Sequence, residues 1–365
     1  MNMSGSRPIS IFTPGKIKVS ETFIQSHVDR LPNVVRVSSW PLVPRNILDL
    51  SSRLAYKFLK VGDAKWMQSR IRSELKEAGC EVVLAEYGHV GAEIAEACWQ
   101  LKIPLVVHFH GFDAHQNSHV AEYLERYQSM FQKASAIIVV SNTMKKALEK
   151  IGADPDVLHT IHYGVNCEHF SHNKNPDSNL SFLTVGRFTE KKAPHLTIKA
   201  FSKIADDFPE IQLRMIGNGP LLDNCVDLAK SLALEARIEF LGEKNHEEVA
   251  QAMATARCFV QHSIRAPSGD CEGLPLAILE ASASGLPVIS TIHAGIPEVI
   301  EHEVSGFLSN EGDVESMAKH MAIVASDDAT VSRLGCSGRK IIEEKFSLHR
   351  YISELSSLLQ RVSVG

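Results

Sequence analysis

The sequence predicts an α/β protein of two domains, each an open and mostly parallel sheet covered by helices on both faces. Three observations carry that expectation. Short apolar runs alternate with segments of helical spacing through the first half, and the alternation starts afresh with LSFLTVG at residue 180. Runs such as IPLVVHFH and SAIIVVS are nearly continuous in apolar residues, as strands buried on both faces of a parallel sheet must be. Between the two series lies HFSHNKNPDSN, residues 169–179, polar and bearing one proline, where the chain is expected to cross between domains. The expected division is 1–168 for an amino-terminal domain, 169–345 for a carboxy-terminal domain, and 346–365 for a terminal helix packing back on the first.

Residues 8–14 hold the first strand, ISIFT, which Pro14-Gly15 ends. Gly15 then stands where a parallel sheet delivers its chain to a ligand crevice, followed by Lys16, Lys18 and Ser20, the last placed to cap a helix running to Leu31. Residues 34–39 form a second strand. Residues 46–59 and 64–78 read as helices mixing apolar with basic side chains, suited to packing on the sheet and also to lying on a membrane surface. A strand at 81–85, the helix GHVGAEIAEACWQL and the strand IPLVVHFH follow. His110, Gly111 and Asp113 come just beyond that strand, where binding residues concentrate, so His110 is the expected site residue and His108, deeper in the strand, a structural one. Helices at 120–133 and 142–150 flank SAIIVVS, the second capped by Ser141 or Asn142.

In the second series, LSFLTV precedes a helix at 194–205, IQLRMIG precedes one at 221–234, and IEFLG precedes one at 249–255. CFVQHS, PVIST and GFLS complete the strands, and helices at 314–325, 330–344 and 351–361 close the chain.

Composition narrows the class. At 44% hydrophobic and 22% charged residues the chain is that of a globular protein, and it shows neither an apolar leader nor a run long enough to span a bilayer, so a cytoplasmic location is expected. Seven scattered cysteines without a Cys-x-x-Cys pair argue against a disulfide framework or a structural zinc site. With a net charge of -5, no nucleic-acid partner is expected. Residues 1–76 nonetheless hold 13 basic against 5 acidic side chains, a bias that suits an anionic acceptor or peripheral contact with the inner face of an anionic membrane.

The chemistry centres on SGDCEGLPLAILE, residues 268–280. Glu272 and Glu280 sit eight positions apart, and a helix over 274–283 would begin beside the first and carry the second about two turns in. Free amides at such a start favour an anion such as a diphosphate. Arg187 and Lys192, five apart beyond the LSFLTV strand, suit clasping the same group, and the turn Gly217-Asn218-Gly219-Pro220 permits close approach to a phosphate. The Gly-x-Gly-x-x-Gly fingerprint, the P-loop, the Gly-x-Ser-x-Gly elbow and the His-Glu-x-x-His metal motif are all missing, and no metal is expected.

GRFTEKKAP, MIGNGP, GDCEGLPLAILEASASGLPVISTIHAGIPEVI and SGFL occur in the order found in bacterial retaining glycosyltransferases of family 4, which the chain resembles over nearly its whole length. KVSETFIQSHV and HFHGFDA are similar to members that build extracellular or capsular polysaccharides or lipopolysaccharide. The resemblance implies the GT-B architecture, two Rossmann-like α/β/α domains facing each other across a deep cleft, and metal-independent transfer of a hexosyl group from a nucleoside-diphosphate sugar to a saccharide or lipid-linked acceptor. A UDP-sugar is favoured over a GDP-sugar. It further implies that Glu272 lies by the sugar hydroxyls, that the amides around Gly273, Leu274 and Pro275 lie near the sugar and diphosphate, and that Glu280 binds ribose. Arg187 and Lys192 would hold the diphosphate, His110 would lie near the reacting sugar carbon, and Gly15 would line the nucleotide and acceptor side. Many relatives carry paired glycines in that first loop, whereas Lys16 follows Gly15 here. A non-catalytic sugar-nucleotide-binding protein and a non-hydrolysing epimerase of related shape are the alternatives.

Overall fold

Most strands of this chain are unbroken apolar runs that disappear from solvent on both faces, which requires helices above and below them. In the computed structural model, which describes residues 6–17, 21–42, 64–170 and 180–362, that is the arrangement in each of two compact units. The first comprises Met1–Ala114, Ser118–Ile161 and Ile352–Gly365, and the second His115–Asn117 and His162–Tyr351.

The first unit holds β1 (Ile9–Thr13), β2 (Val34–Ser39), β3 (Val82–Glu86), β4 (Leu105–His108), β5 (Ala136–Val139) and β6 (Leu158–Thr160), hydrogen-bonded in the order β2-β1-β3-β4-β5-β6 with every pair parallel. Its central strands β1, β3, β4 and β5 are buried throughout, while β2, at one edge, alternates between covered and exposed positions. Parallel neighbours need a crossover, and helices such as Thr22–Arg30, Gly88–Leu101 and Asn117–Phe131 provide it. Ser141 caps the Asn142–Lys150 helix, accepting from the Met144 amide at 3.3 Å. The end of the closing Leu348–Arg361 helix belongs to this unit, where the Arg7 amide donates to the Gln360 side chain at 2.7 Å and the Arg7 guanidinium to the Val362 carbonyl at 2.6 Å.

The second unit repeats the plan with β7 (Ser181–Val185), β8 (Gln212–Ile216), β9 (Ile238–Gly242), β10 (Cys258–Val260), β11 (Val288–Thr291) and β12 (Gly306–Ser309), ordered β12-β11-β10-β7-β8-β9. All of its pairs are parallel as well. Phe182, Leu213, Met215, Val260 and Ile289 from the sheet meet Ile198, Phe201, Met317 and Met321 from the helices in one buried cluster. The His246–Thr255 helix begins earlier than its apolar spacing suggests because Asn245 and Glu248 form a reciprocal capping box.

The Ser20 cap, Lys18, the helix expected over 46–59 and residues 171–179 of the expected crossing lie outside the described residues. Where Thr22–Arg30 starts, the flanking residue is Glu21. Among the described residues, no helix is long and apolar enough to cross a membrane.

Helix Asp328–Lys345 packs against Leu276–Ala283, the helix that follows the 268–275 loop, through two buried glycines of unequal tolerance. A methyl on Gly335 would lie 2.0 Å from the Gly285 carbonyl oxygen, whereas one on Gly338 would meet nothing nearer than 3.5 Å. Gly335→Ala is therefore expected to lower unfolding free energy by about 1–3 kcal/mol. Gly338→Ala should leave it unchanged or raise it by up to about 1 kcal/mol through helix propensity. Urea midpoints of the two variants read the difference, and equal effects would contradict this packing.

Candidate functional site

Strand order in the second unit reverses between β7 and β10: the chain moves outward through β8 and β9, then returns to lay β10, β11 and β12 on the other side. A crevice opens beyond the carboxyl ends of the strands at such a reversal. The segments that leave β7 and β10 there are the ones carrying Arg187 and Lys192 on one side and Glu272 on the other.

These two segments are joined. The Ile264 amide donates to the Lys191 carbonyl at 2.9 Å, and the Lys191 ammonium donates to Asp270 Oδ1 and to the Cys271 carbonyl, each at 3.1 Å. Lys192 Nζ lies 3.2 Å from Glu272 Oε1 and 3.4 Å from Gln261 Oε1, in an ion pair whose side chains are only 17% and 8% exposed. Burial raises the Glu272 pKa, but the positive charges of Lys192 and Lys191 outweigh it and hold the carboxyl below its ordinary value. For Lys192 the balance goes the other way. Burial, aided by Lys191 and Arg187, lowers its pKa despite Glu272. Lys191 is thus matched by Asp270 and Lys192 by Glu272, and Arg187 is left as the cation that a further anion would meet.

The main chain at Glu272 is held as firmly as its side chain. Its amide donates to His293 Nε2 at 3.1 Å, while His293 Nδ1 lies 2.6 Å from Glu311 Oε1. Because Nε2 accepts, the proton belongs on Nδ1, facing Glu311. Glu311 Oε2 in turn accepts from the Arg265 amide at 2.8 Å, which ties the loop back on itself.

The helix expected over 274–283 starts at Leu276 instead, with Pro275 as its flanking residue at φ -69° and ψ 114°. A residue before proline is disfavoured in the α region, which keeps Leu274 out of the helix, and Pro275 has no N–H to offer a ligand. Amides for an anion at this start come from Gly273, Leu274 and the first helical turn. Glu280 sits inside the helix, with Oε1 3.4 Å from His246 Nε2, and that carboxylate raises the His246 pKa. His246 stacks on His169 at 4.5 Å.

Arg187 is exposed on the loop after β7. Against that loop lies the Gly217-Asn218-Gly219 turn: the Phe188 amide donates to the Asn218 carbonyl at 2.9 Å, and a Cβ on Gly217 would fall 1.9 Å from the Gly186 carbonyl oxygen. With φ +135° at Gly217 and no room for a methyl, only glycine lets the two loops touch.

The first unit has a reversal of its own, between β1 and β3. Gly15 follows β1 there, with its carbonyl accepting from Thr13 Oγ1 at 2.8 Å, and Lys16 is exposed. Glu86, the last residue of β3, is fully buried and gathers histidines: His27 Nδ1 lies 2.6 Å from its Oε1 and His110 Nε2 lies 2.9 Å from its Oε2. Burial pushes the Glu86 pKa up, but the two imidazoles more than reverse this and the carboxyl ends far below its ordinary value. His108 is buried in β4, and burial lowers its pKa. The His110 side chain is only 2% exposed although the residue as a whole is half-buried, so what it presents outward is main chain. Asp113 holds that main chain in place: Oδ1 accepts from the His110 and Gly111 amides at 3.0 and 2.9 Å, and Oδ2 accepts from Gly88 at 2.9 Å.

His27, Glu86 and His108 place potential ligand atoms within 4.8 Å of one another. Two ligands on a tetrahedral zinc are roughly 3.3 Å apart, since each bond is about 2.0–2.1 Å. The 2.6 Å between His27 and Glu86 is instead a hydrogen-bond distance, and His108 Nδ1 stands 3.9 Å from Glu86 Oε2.

Glu86, His27, Lys191 and His293 escaped the sequence reading. Only Glu86 left a signal there: a lone carboxylate ending the apolar run VVLAE.

Known proteins resemble this chain throughout. Residues 166–341 match the family model described as "Glycosyl transferases group 1", and residues 23–169 match "Glycosyltransferase Family 4". A putative colanic acid biosynthesis glycosyltransferase, WcaL of Salmonella typhimurium, is 30% identical over 287 residues, which cover 77% of this chain and 71% of that protein. An amylovoran biosynthesis glycosyltransferase, AmsK of Erwinia amylovora, is 28% identical over 298 residues, covering 80% and 73%. Among solved structures, Anabaena Alr3699/HepE in complex with UDP and glucose has a TM-score of 0.79 at 17% identity, covering 98% of this chain and 100% of that one. A sucrose-phosphate synthase from Thermosynechococcus elongatus has a TM-score of 0.74 at 17% identity, covering 96% and 98%. Both share the fold.

Glu272 has a folded-state pKa below its ordinary 4.5, so its contribution to stability is complete above the unfolded-state value and is lost as pH falls through the folded-state one. The stability gap between wild type and Glu272→Gln, from urea midpoints, is expected to be widest near neutrality and to narrow below about pH 4.5. A gap that widens on acidification would show that the carboxylate is not held by its cations.

Proposed function

This chain belongs to the group 1, family 4 glycosyltransferases, enzymes of GT-B fold, and for it we propose retaining transfer of a hexosyl group from a nucleoside-diphosphate sugar to an acceptor hydroxyl in glycan or glycolipid synthesis. The observation that carries the donor assignment is the buried Lys192–Glu272 pair at the strand reversal, flanked by the Lys191–Asp270 pair and by Arg187, which adds a further positive charge. A diphosphate supplies the missing anion and a sugar supplies hydroxyls for the carboxylate.

In this scheme Arg187, Lys192 and the amides from Gly273 onward offset the charge that develops on the departing diphosphate. The acceptor hydroxyl attacks from the face the diphosphate leaves, and a diphosphate oxygen takes its proton, so the anomeric configuration is kept. Glu272 orients the sugar and is no covalent nucleophile. Its carboxylate is tied up with Lys192, and Glu280 lies on the same segment, not across a sugar as a glycosidase pair must. Glu280 takes the ribose, the Gly217-Asn218-Gly219 turn approaches the nucleotide, Gly15 lines the nucleotide and acceptor side, and His110 contacts the transferred sugar.

UDP is the proposed nucleotide, in preference to GDP. The Anabaena structure of the same fold holds UDP and glucose, which supports that choice. The colanic acid and amylovoran relatives support an exopolysaccharide acceptor, saccharide or lipid-linked. With 13 basic against 5 acidic residues in 1–76, peripheral contact with an anionic membrane fits the delivery of such an acceptor.

Incubating the protein with a panel of UDP- and GDP-sugars, and following nucleotide release and product mass, tests the scheme. Turnover with at least one UDP-sugar is expected, and binding without release, or isomerised donor without transfer, would overturn it. Lys192→Ala and Glu272→Ala should each lower turnover by about 100- to 1,000-fold, the scale of losing one charge-stabilising group. Each change leaves a buried charge without its partner, so turnover is compared at a temperature where circular dichroism shows both variants folded, and normal turnover in both would remove these residues from the reaction.

A further inference from the structure

We infer that Glu86 is a positioning residue for sugar transfer: its buried carboxylate grips the imidazoles of His27 and His110 with one oxygen each, and so fixes the main chain that His110 presents outward. The inference rests on the proposed contact between His110 and the transferred sugar.

Three facts point this way. A fully buried carboxylate is costly unless paired, so Glu86 at the end of an apolar strand needs its histidines. Because Glu86 accepts on both oxygens, His27 must carry its proton on Nδ1 and His110 on Nε2. The His110 ring is clamped on further sides, by Phe23 at 4.4 Å, Tyr87 at 4.5 Å and His108 at 4.3 Å between centroids. The anchor therefore joins the Thr22–Arg30 helix, the end of β3 and the loop after β4, three elements meeting at the strand reversal of the first unit. A ring so enclosed acts on a ligand by holding its own backbone still. Asp113 holds the amides of the same loop, and Glu86 holds the ring.

A glutamine at this position tests the anchor without removing its bulk. It keeps one acceptor oxygen but offers an NH₂ in place of the other, so one of the two histidines must change tautomer or let go. For full-length Glu86→Gln, glucose transfer or UDP release with UDP-glucose should fall about 100-fold in kcat, the scale of a small misplacement of a reacting group. UDP affinity should stay within about twofold, because the diphosphate is held by the second unit. The double variant Glu86→Gln/His110→Ala should lose no more than His110→Ala alone, since both changes break one contact. Nitrogen-15 NMR of histidine-labelled wild type should show one imidazole as the Nδ1–H tautomer at His27 and one as Nε2–H at His110. That measurement stands even if the variant fails to fold.

Normal kcat in Glu86→Gln alongside an impaired His110→Ala would overturn the positioning role and leave the His110 assignment intact. Normal turnover in His110→Ala would overturn the assignment beneath it. The opposite tautomers in the wild type, additive losses in the double variant, or stoichiometric zinc that disappears with Glu86→Gln would each overturn the anchor.

Discussion

An ammonium and a carboxylate 3.2 Å apart and nearly out of water are an expensive arrangement. Desolvating the two charges costs several kcal/mol per ion, and their mutual attraction commonly does no better than break even, so stability alone is a poor reason for Lys192 and Glu272 to be there. Around them the chain spends further structure on holding the pair in place. Lys191 reaches across to Asp270 and Cys271, the relay through His293 fixes the Glu272 amide, and a glycine turn presses on the loop that carries Arg187. The outcome is a pocket in which two lysines are matched by two carboxylates and Arg187 adds a further positive charge, a balance that the proposed diphosphate would offset.

Why these groups meet follows from topology. In a parallel sheet the loops at the carboxyl ends of strands fan apart only where the strand order reverses, and each unit has one such point. The second unit uses its reversal to assemble cations, amides and the carboxylates of Asp270 and Glu272. The first unit uses its own to bury one carboxylate among imidazoles, with covered rings and an outward main chain. Similar sheets thus support different local chemistry, set by what the last strand residue and the following loop carry.

Much of this was legible in the sequence because parallel strands are apolar on both faces. VVLAE, LVVH and SFLTV announce themselves without homology, and so does the restart of the pattern after residue 180. Glu272, Arg187 and Lys192 were found by position, each just beyond such a run. The start of the Leu276–Ala283 helix was misplaced because the backbone cost of a residue before proline was set aside. Asn245 went unnoticed since its capping box lies ahead of the apolar spacing. Pairings distant in sequence, such as Glu86 with His27 or Glu272 with His293, had no local trace, because they exist only once the strands are ordered.

The central claim is that a preformed excess of positive charge around Lys192 recognises a diphosphate. Calorimetric titration of the full-length protein with UDP and with UMP measures it directly. UDP should bind at least about tenfold more tightly than UMP, as one charge-assisted hydrogen bond of about 1.5–3 kcal/mol requires, and Lys192→Met should erase most of that preference. Equal affinities for the two nucleotides, or a preference that survives the loss of Lys192, would contradict it.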